Sequence, residues 1–357
     1  MTTSTSAVRS EQGFTLIELM IASALTLVVM GVAFSTFKNA EDFNQSILSL
    51  ADSTQNLRAG TNQLVRDLMQ AGRDIDIGGI SIPSGSGSTG IYRPSPDGKS
   101  YFFDNTTATT LSSITTGASL GPTIDGQSTD MVTMLMADPY LADLIVYPDG
   151  TGGGVPTLDS TGASMDVGTS TSWLEGDPDN GIPAVKTGDL FYFIHSNGSW
   201  STIQTVTGVD GSVVHFDTGD PFNFNQPDAE AGNITQLLGA TLTVRRIYMY
   251  TYYVQDDDGV PRLMRQLNMF PATALAGVVE DLDLSYDLAD GVTNPVNVGD
   301  LPYTSGGVTY TANQIRKVNV HVGVRSEDKS TRTNDYLRNH VSTVISIRNL
   351  AYTDRYN

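Results

Sequence analysis

One carboxylate lies where the sequence is otherwise apolar. Glu18 is the only charged residue between positions 14 and 37. This run is long enough to cross the hydrocarbon core of a bilayer as a helix, and a carboxylate inside such a segment is costly unless it has a partner. No Lys, Arg or His lies within one helical turn of Glu18, so the sequence predicts a partner from elsewhere. If the chain were cut after Gly13, the new amino group of Phe14 in a neighbouring subunit could face Glu18 and form a registry-specific ion pair.

Two acidic turns are the remaining candidates for an ion site. Asp177 and Asp179 lie in the run Asp-Pro-Asp-Asn-Gly, and Asp256 and Asp258 lie in the run Asp-Asp-Asp-Gly. Calcium takes six to eight oxygen ligands, and the glutamate that closes an EF-hand loop is missing after the first run. The better interpretation is a pair of solvated turns, with calcium at either as the alternative; we therefore predict no required cofactor.

No pattern in the chain predicts catalysis. Residues 85–90 match G-x-G-x-x-G, but Pro83 precedes the run and Tyr92-Arg93-Pro94 follows it, so the helix that a dinucleotide site needs does not start there and a flexible loop is the better interpretation. Neither a G-x-S-x-G elbow nor a Walker A sequence occurs. None of the four histidines, at positions 195, 215, 321 and 340, lies in a zinc-binding spacing. We expect His195, His321 and His340 in strands or beside them. We therefore predict that the protein is not an enzyme.

Composition limits the partners. The 357 residues carry 20 Lys and Arg against 39 Asp and Glu, a net charge of −19. Such acidity argues against a nucleic-acid surface, which needs a basic patch, and suits a soluble surface outside the cytoplasm. Cysteine is absent, so disulfides give no support for an oxidising compartment and thiol chemistry is excluded.

A helical pattern continues beyond the apolar run. Apolar and threonine positions recur at a 4-3-4-3 spacing, which places them on one helix face: Phe43, Ile47, Leu50, Thr54, Leu57, Thr61, Leu64 and Leu68. Charged residues, including Asp67, fall off this face, and Gly72 is a stop signal. We predict one helix over residues 14–71, about 85 Å long at about 1.5 Å per residue. Its amphipathic part, residues 38–72, packs on the chain's own sheet or, as the rival, forms a coiled coil with another chain.

The rest of the chain reads as β-structure in two parts. Residues 73–240 are loop-rich, with strands expected at 131–136, 144–147, 190–195, 200–207 and 212–216 and a hairpin turn at Asn197-Gly198. Residues 241–357 carry a clearer series, with strands expected at 240–254, 261–267, 278–286, 315–325 and 340–348. Several strands that follow one another directly along the chain imply an antiparallel sheet.

One motif directly before the apolar run is highly specific: Gly13-Phe14-Thr15-Leu16-Ile17-Glu18. It resembles the signature of type IV prepilins. The resemblance implies that a prepilin peptidase removes residues 1–13 as a leader, that Phe14 is N-methylated, and that Glu18 sets subunit registry. It also implies a single pass through the bacterial inner membrane by residues 14–37 with a periplasmic C-terminal domain. The leader carries little positive charge, so the charge rule adds weak support to that orientation.

Several later motifs resemble motifs of PilW-type minor pilins: Arg66-Asp67-Leu68, Tyr252-Tyr253, residues 262–265, 277–282 and 347–349. This resemblance implies an α+β, pilin-like fold, in which a long N-terminal helix packs on an antiparallel sheet and a β-rich central insertion is added. It implies a role in initiating pilus assembly and in a tip complex with other minor pilins, the major pilin and an adhesin partner, ending at the pilus or cell surface.

Three alternatives remain open at this point. A minor pseudopilin of type II secretion, the GspJ type, shares the helix and the sheet but is usually shorter. A surface binding module on a pilin stalk would use residues 75–240 to recognise glycan, matrix or calcium. A periplasmic enzyme on a signal anchor is the third.

Overall fold

A single long helix dominates the N-terminal part of the computed structural model, which describes residues 13–148, 153–327, 329–330 and 334–351. Helix α1 runs from Leu16 to Gln70, 55 residues or about 83 Å at 1.5 Å per residue. Ala71 is its C-cap and Gly72 follows with a φ of 76°, which glycine adopts without steric cost. The predicted helix is therefore confirmed to within two residues at each end, whereas residues 1–12 of the predicted leader lie outside the described residues.

The described chain then forms 23 strands, two short α-helices and three 3-10 helices. The strands before residue 240 are Ile80–Ser81 (β1), Ile91–Arg93 (β2), Tyr101–Phe103 (β3), Thr110–Leu111 (β4), Ile114–Thr115 (β5), Thr123–Ile124 (β6), Gln127–Ser128 (β7), Val132–Ala137 (β8), Leu144–Pro148 (β9), Thr157–Leu158 (β10), Ser164–Asp166 (β11), Leu190–His195 (β12), Ser201–Thr205 (β13), Gly208–Asp210 (β14) and Val213–His215 (β15).

The strands after residue 240 are longer. They are Leu242–Asp257 (β16), Val260–Leu267 (β17), Thr273–Gly277 (β18), Val279–Leu288 (β19), Tyr303–Ser305 (β20), Val308–Tyr310 (β21), Ile315–Arg325 (β22) and Arg338–Ser346 (β23). The short helices are Ser172–Glu175 (α2) and Arg348–Ala351 (α3), and the 3-10 helices are Pro178–Asn180, Ile234–Leu237 and Ala312–Gln314. The last predicted strand, 340–348, is wrong at its end, because the chain turns into α3 at Arg348.

The largest sheet, of 12 strands, is built around β16. One edge of β16 pairs first with β12 and then with β17, and the other edge pairs first with β9 and then with β8, all antiparallel. The predicted hairpin is confirmed, since β12 pairs antiparallel with β13 from Ile194 and Ser201 outward. Pairing runs across position 240, and the domain boundary placed there stays a prediction.

A second sheet of three antiparallel strands, in the order β19-β22-β23, closes the C-terminal part. Its inner face carries alternate apolar residues, such as Leu282, Leu284, Val320 and Val322, all at most 2% exposed. These residues and the inner face of the large sheet enclose the last turns of α1 in one core. The predicted α+β, pilin-like fold is therefore confirmed.

The buried face of α1 differs from the predicted one in two ways. It begins later along the helix, and it extends further around the helix. Leu57, Leu64 and Leu68 are fully buried, but Phe43 is 60% and Ile47 is 49% exposed. The reason is that α1 projects beyond both sheets. Conversely, Asp67 was expected off the buried face and is 4% exposed, because β16 and β17 cover that flank.

Candidate functional site

The start of α1 is fixed by a reciprocal pair of hydrogen bonds. Thr15 is the N-cap residue, and its Oγ1 accepts from the Glu18 N–H at 3.3 Å. In return, Glu18 Oε2 accepts from the Thr15 N–H at 2.9 Å and from the Thr15 hydroxyl at 3.0 Å. This capping box satisfies backbone donors that a helix start otherwise leaves free.

Thr15 therefore positions the Glu18 carboxylate, a contact that the sequence analysis does not predict. Glu18 was expected to find its partner outside its own chain, but its carboxylate already accepts hydrogen bonds from Thr15. The signal was present, because Thr-x-x-Glu before an apolar run is the capping-box pattern. No cation forms an ion pair with Glu18 among the residues that the structure describes, so its negative charge remains available.

The apolar part of the helix is exposed along its whole length. Phe14 is 88% exposed, and every residue from 14 to 37 is in the exposed class. Within the described residues, α1 is the one helix long and apolar enough to cross a membrane by length and composition. This is consistent with membrane anchoring.

The few polar side chains in that segment are already satisfied. The Thr26 hydroxyl donates to the Ala22 carbonyl at 2.7 Å, and the Thr36 hydroxyl donates to the Val32 carbonyl at 2.9 Å. Ser23 bonds to the Leu19 carbonyl in the same way. A hydroxyl bonded to its own helix loses little when water is replaced by lipid or by another helix. The segment is thus suited to apolar surroundings at every position except Glu18.

The opposite end of α1 is joined by a buried polar cluster to the head, the folded part of the chain from Gly72 to Ala351. Asp67 Oδ2 accepts from the Tyr252 hydroxyl at 2.6 Å and from Arg265 Nε at 2.7 Å. The Arg265 guanidinium also lies over the Tyr250 ring, 3.8 Å from its centroid. Burial, with the Asp67 carboxylate, raises the pKa of Tyr252 far above its usual value. The cluster connects the helix to β16 and β17 by charge-assisted hydrogen bonds, which are stronger than neutral ones.

The two acidic turns are held by their own hydrogen bonds. Asp177 accepts from Asn180 Nδ2 at 2.7 Å, and hydrogen bonds from Asn180 lower the pKa of Asp177; Asp179 lies exposed in the same turn. Asp256 Oδ1 accepts from the Gly259 N–H at 2.8 Å in the turn between β16 and β17, and Asp258 lies exposed at its tip. Over the described ranges, no three His, Asp or Glu side chains are arranged to hold a metal ion. Calcium at either turn stays a prediction.

Three histidines fall in strands, as expected: His195 in β12, His321 in β22 and His340 in β23. His215 lies in β15. His321 and His340 lie side by side on the outer face of the three-stranded sheet, with ring centroids 5.3 Å apart. The His321 Nδ1 shares a hydrogen bond of 2.8 Å with the Ser342 hydroxyl. The glycine run at 85–90 is a loop. It follows Ser84, which forms an isolated β-bridge with Ala231, and it leads into strand β2 rather than into a helix.

Comparison with known proteins identifies the N-terminal segment. Residues 8–34 match the family model described as the prokaryotic N-terminal methylation motif. No curated protein and no solved structure matches the chain. The match contains Gly13, Phe14 and Glu18 and ends before the head.

The motif and the apolar helix together support a type IV pilin-like protein, either a pilin or a pseudopilin. Such a motif suggests a structural role and implies processing by a prepilin peptidase. The roles of Gly13, Phe14 and Glu18 within it stay predictions.

Proposed function

We propose that this chain is a minor pilin of a type IV pilus, cleaved after Gly13 and N-methylated at Phe14. It waits in the inner membrane through residues 14–37, with its head periplasmic, and then enters the filament with other minor pilins and the major pilin. The observation that carries this proposal is the capped, fully exposed apolar segment of α1, with Glu18 as its one charge, ahead of a folded head.

The charge of Glu18 supports a role in registry. Cleavage leaves Thr15 and Glu18 in the mature chain, so the capping box is kept and the carboxylate stays ordered. The freed amine of Phe14 in a neighbouring subunit is a cation of the right sign and reach. Ion pairs in apolar surroundings specify register, because a misplaced charge stays unpaired there.

The size of the head supports a position at the filament tip. The head extends from Gly72 to Ala351 and contains both sheets. In a helical shaft every head is surrounded by copies, whereas at the tip one side is free. A head that is larger than a single sheet is accommodated more easily at the tip, where it can carry an adhesin-like partner.

A minor pseudopilin of type II secretion is the second candidate, because the N-terminal motif is common to pilins and pseudopilins. The head then takes the corresponding place at the tip of a secretion pseudopilus. Gold labelling of the protein on isolated filaments separates the two. Label at pilus tips supports the minor pilin, while absence from pili together with loss of protein secretion in a deletion strain supports the pseudopilin.

Processing is tested by intact mass. The native protein should begin at Phe14 and carry one extra methyl group, and Gly13→Val should keep the leader because a bulkier residue occupies the cut site. Gly31→Ala is the matched control, since an added Cβ there meets no atom within 4 Å and the cut site is unchanged. A native protein that retains residues 1–13, or a Gly13→Val variant that is processed normally, would contradict the proposal.

A further inference from the structure

The outer edge of β23 is open. This strand pairs with β22 alone, over nine consecutive residues without a register shift. In an antiparallel ladder alternate residues direct their N–H and C=O groups toward the partner strand. The Ile347 N–H donates to the Arg316 carbonyl at 3.0 Å, which extends the inward-facing series at odd positions. The backbone groups of the even positions therefore face away from the sheet: His340, Ser342, Val344 and Ser346.

The opposite edge of the same sheet is closed. Along β19, the Leu282 carbonyl accepts from the Asp130 N–H at 2.8 Å, and the Leu284 N–H donates to the Asp130 carboxylate at 2.8 Å. Further along, Tyr286 and Val298 exchange two backbone hydrogen bonds, of 2.8 and 3.0 Å. Segments from elsewhere in the head thus occupy the edge groups of β19.

The large sheet closes the edge of β13 as well. Asn225 reaches that edge with both ends of its amide: its Oδ1 accepts from the Thr205 N–H at 2.9 Å, and its Nδ2 donates to the Thr205 carbonyl at 2.8 Å. Closure of edges by side chains and loops is a common protection against unwanted pairing. β23 lacks such closure along most of its length.

Nothing in the sequence of β23 blocks the addition of a strand. It contains no proline and no lysine, and Val344 is 60% exposed. In the described part of the chain, the His340 N–H has the Asn339 side chain as its acceptor, 2.9 Å away. The backbone groups of Ser342, Val344 and Ser346 have no acceptor or donor beyond β22 within the described ranges.

Charge distinguishes the two ends of the edge. At the start of β23 the charges are already paired, since Arg338 bonds to Glu280, Asp125 and Asp335. At the other end, three cations form no ion pair with any described residue: Arg316, Lys317 and Arg348. Of these, Lys317 stands directly opposite Ser346 on the outer face of the sheet, whereas Arg316 occupies an inner-face position of β22. In a chain of net charge −19, Lys317 favours an acidic group on whatever pairs with β23.

A second copy does not fit this edge. A two-fold pairing of β23 with itself reverses every direction in the plane of the sheet. α1 packs across the face of this sheet, so the two helices would point in opposite directions. Two such copies could not insert residues 14–37 into one membrane, an argument that rests on the proposed function.

We propose that an extended strand from a different subunit of the filament adds to the outer edge of β23. Backbone hydrogen bonds to Ser342, Val344 and Ser346 supply the affinity, and the Val344 side chain packs against a β-branched or aromatic residue of the partner. An Asp or Glu at the partner strand's corresponding end pairs with Lys317, which lies opposite Ser346.

The test uses the full-length chain in cells that assemble the filament. The natural chain has no cysteine, so Ser342→Cys gives a unique site for a thiol-reactive benzophenone. Irradiation should yield one adduct, mapped by mass spectrometry to an extended segment of another subunit. In the Ser342→Cys background, Val344→Pro removes an edge N–H and should reduce the adduct about tenfold, while Val344→Thr, which keeps the N–H, should leave it unchanged.

Two measurements keep the result decisive. The thermal midpoint of the detergent-solubilised Val344→Pro protein shows whether it folds. If it does not, hydrogen exchange of the natural protein replaces it: the Val344 and Ser346 amides should exchange at least about tenfold more slowly in assembled filaments than in the free protein. The proposal would be overturned if no adduct formed or if the adduct were with a second copy of this chain. It would also be overturned if Val344→Pro left the adduct yield unchanged, or if the Val344 and Ser346 amides exchanged equally fast in filaments and in the free protein. The mature N-terminus, measured in the same cells, reports on the proposed function separately.

Discussion

Asp67 and Arg265 are 198 residues apart in the chain, yet Arg265 Nε donates to Asp67 Oδ2 at 2.7 Å. Their side chains are 5% and 24% exposed, respectively. Gln63, one turn earlier on α1, donates to the other carboxylate oxygen at 3.0 Å. The carboxylate therefore has a donor on each oxygen, and the cluster joins the helix to the large sheet in one orientation.

Removing the charge of Asp67 should weaken this contact between α1 and the large sheet. Asp67→Asn keeps the shape of the side chain but leaves the Arg265 guanidinium partly buried without its counter-ion. Because Arg265 keeps some access to water, we expect a loss of about 2–3 kcal/mol in the free energy of unfolding, below the range for a fully buried pair. Urea denaturation of the detergent-solubilised protein measures it.

The matched control is Asp52→Asn, on the exposed side of the same helix. Its free energy of unfolding should stay within about 0.5 kcal/mol of the natural protein. Equal losses in the two variants would show that the net charge of the helix, rather than the contact with Arg265, is responsible.

Charge and capping at Glu18 can be separated. Glu18→Ala removes both the capping box and the negative charge, whereas Glu18→Gln keeps an acceptor for the Thr15 N–H. If pairing with a neighbour's Phe14 amine sets registry, both variants should be cleaved normally and incorporated at least about tenfold less well, as loss of a buried ion pair predicts.

Quantitative blotting of purified filaments against the membrane pool measures incorporation, and Glu41→Ala on the exposed helix surface is the control. Rescue by Glu18→Gln would instead assign the role to the helix cap alone.

Alkaline pH should unfold the head through its buried tyrosines. Burial raises the pKa of Tyr253 from 10.0 to about 12, and burial raises the pKa of other tyrosines in the same direction: Tyr192, Tyr248, Tyr252 and Tyr286. A raised folded-state pKa contributes stability that is complete below pH 10 and is lost as pH rises toward the folded value, because the unfolded chain releases the proton first.

We therefore expect the free energy of unfolding to fall from about pH 10 upward. Tyr253→Phe should reduce the slope between pH 10 and 12 by up to about 1.4 kcal/mol per pH unit. Denaturation curves at stepped pH, read together with tyrosinate absorbance, measure it. A free energy of unfolding that stays constant between pH 10 and 12 would contradict the raised pKa of Tyr253.

The end of α1 depends on a glycine. Gly72 has a φ of 76°, and its N–H donates to the Leu135 carbonyl at 2.8 Å. Gly72→Ala forces an L-residue into the left-handed region beside Ser113 and should cost about 1–2 kcal/mol. Gly78→Ala is the control, since an added Cβ there meets no atom within 4 Å. Thermal denaturation compares them, and an equal midpoint for the two variants would exclude the conformational argument.

Local patterns in the sequence predict the elements that depend on local physics. The 3.6-residue spacing up to Leu68 and the glycine at 72 place the helix. A continuous apolar run places β12 to the residue, and alternation does the same for β22. The prepilin-like hexapeptide is equally local. The Thr15 cap was also within reach, because the capping-box pattern lies in four consecutive residues.

Long-range pairing could not be predicted in the same way. Nothing near Leu242 indicates that β16 would pair with β8, β9, β12 and β17 in turn. The burial of Asp67 depends on that arrangement, since its partners Tyr252 and Arg265 are brought to the helix only by the sheet. The open edge of β23 likewise exists because other segments close β19 and none of the described ones closes β23.

The projection of α1 has a mechanical consequence. Every residue from Leu16 to Glu41 is exposed and Asp42 is the first that is partly buried, so about 26 residues, close to 40 Å at about 1.5 Å per residue, extend beyond the head as a rod without a proline. Tension on the head passes to the membrane segment through the part of α1 that packs on the head, above all its last four turns, from Leu57 to Gln70. A sideways force acts on the same few contacts with a long lever arm, so bending, rather than stretching, is the deformation that the joint at Asp67 and Leu64 must resist.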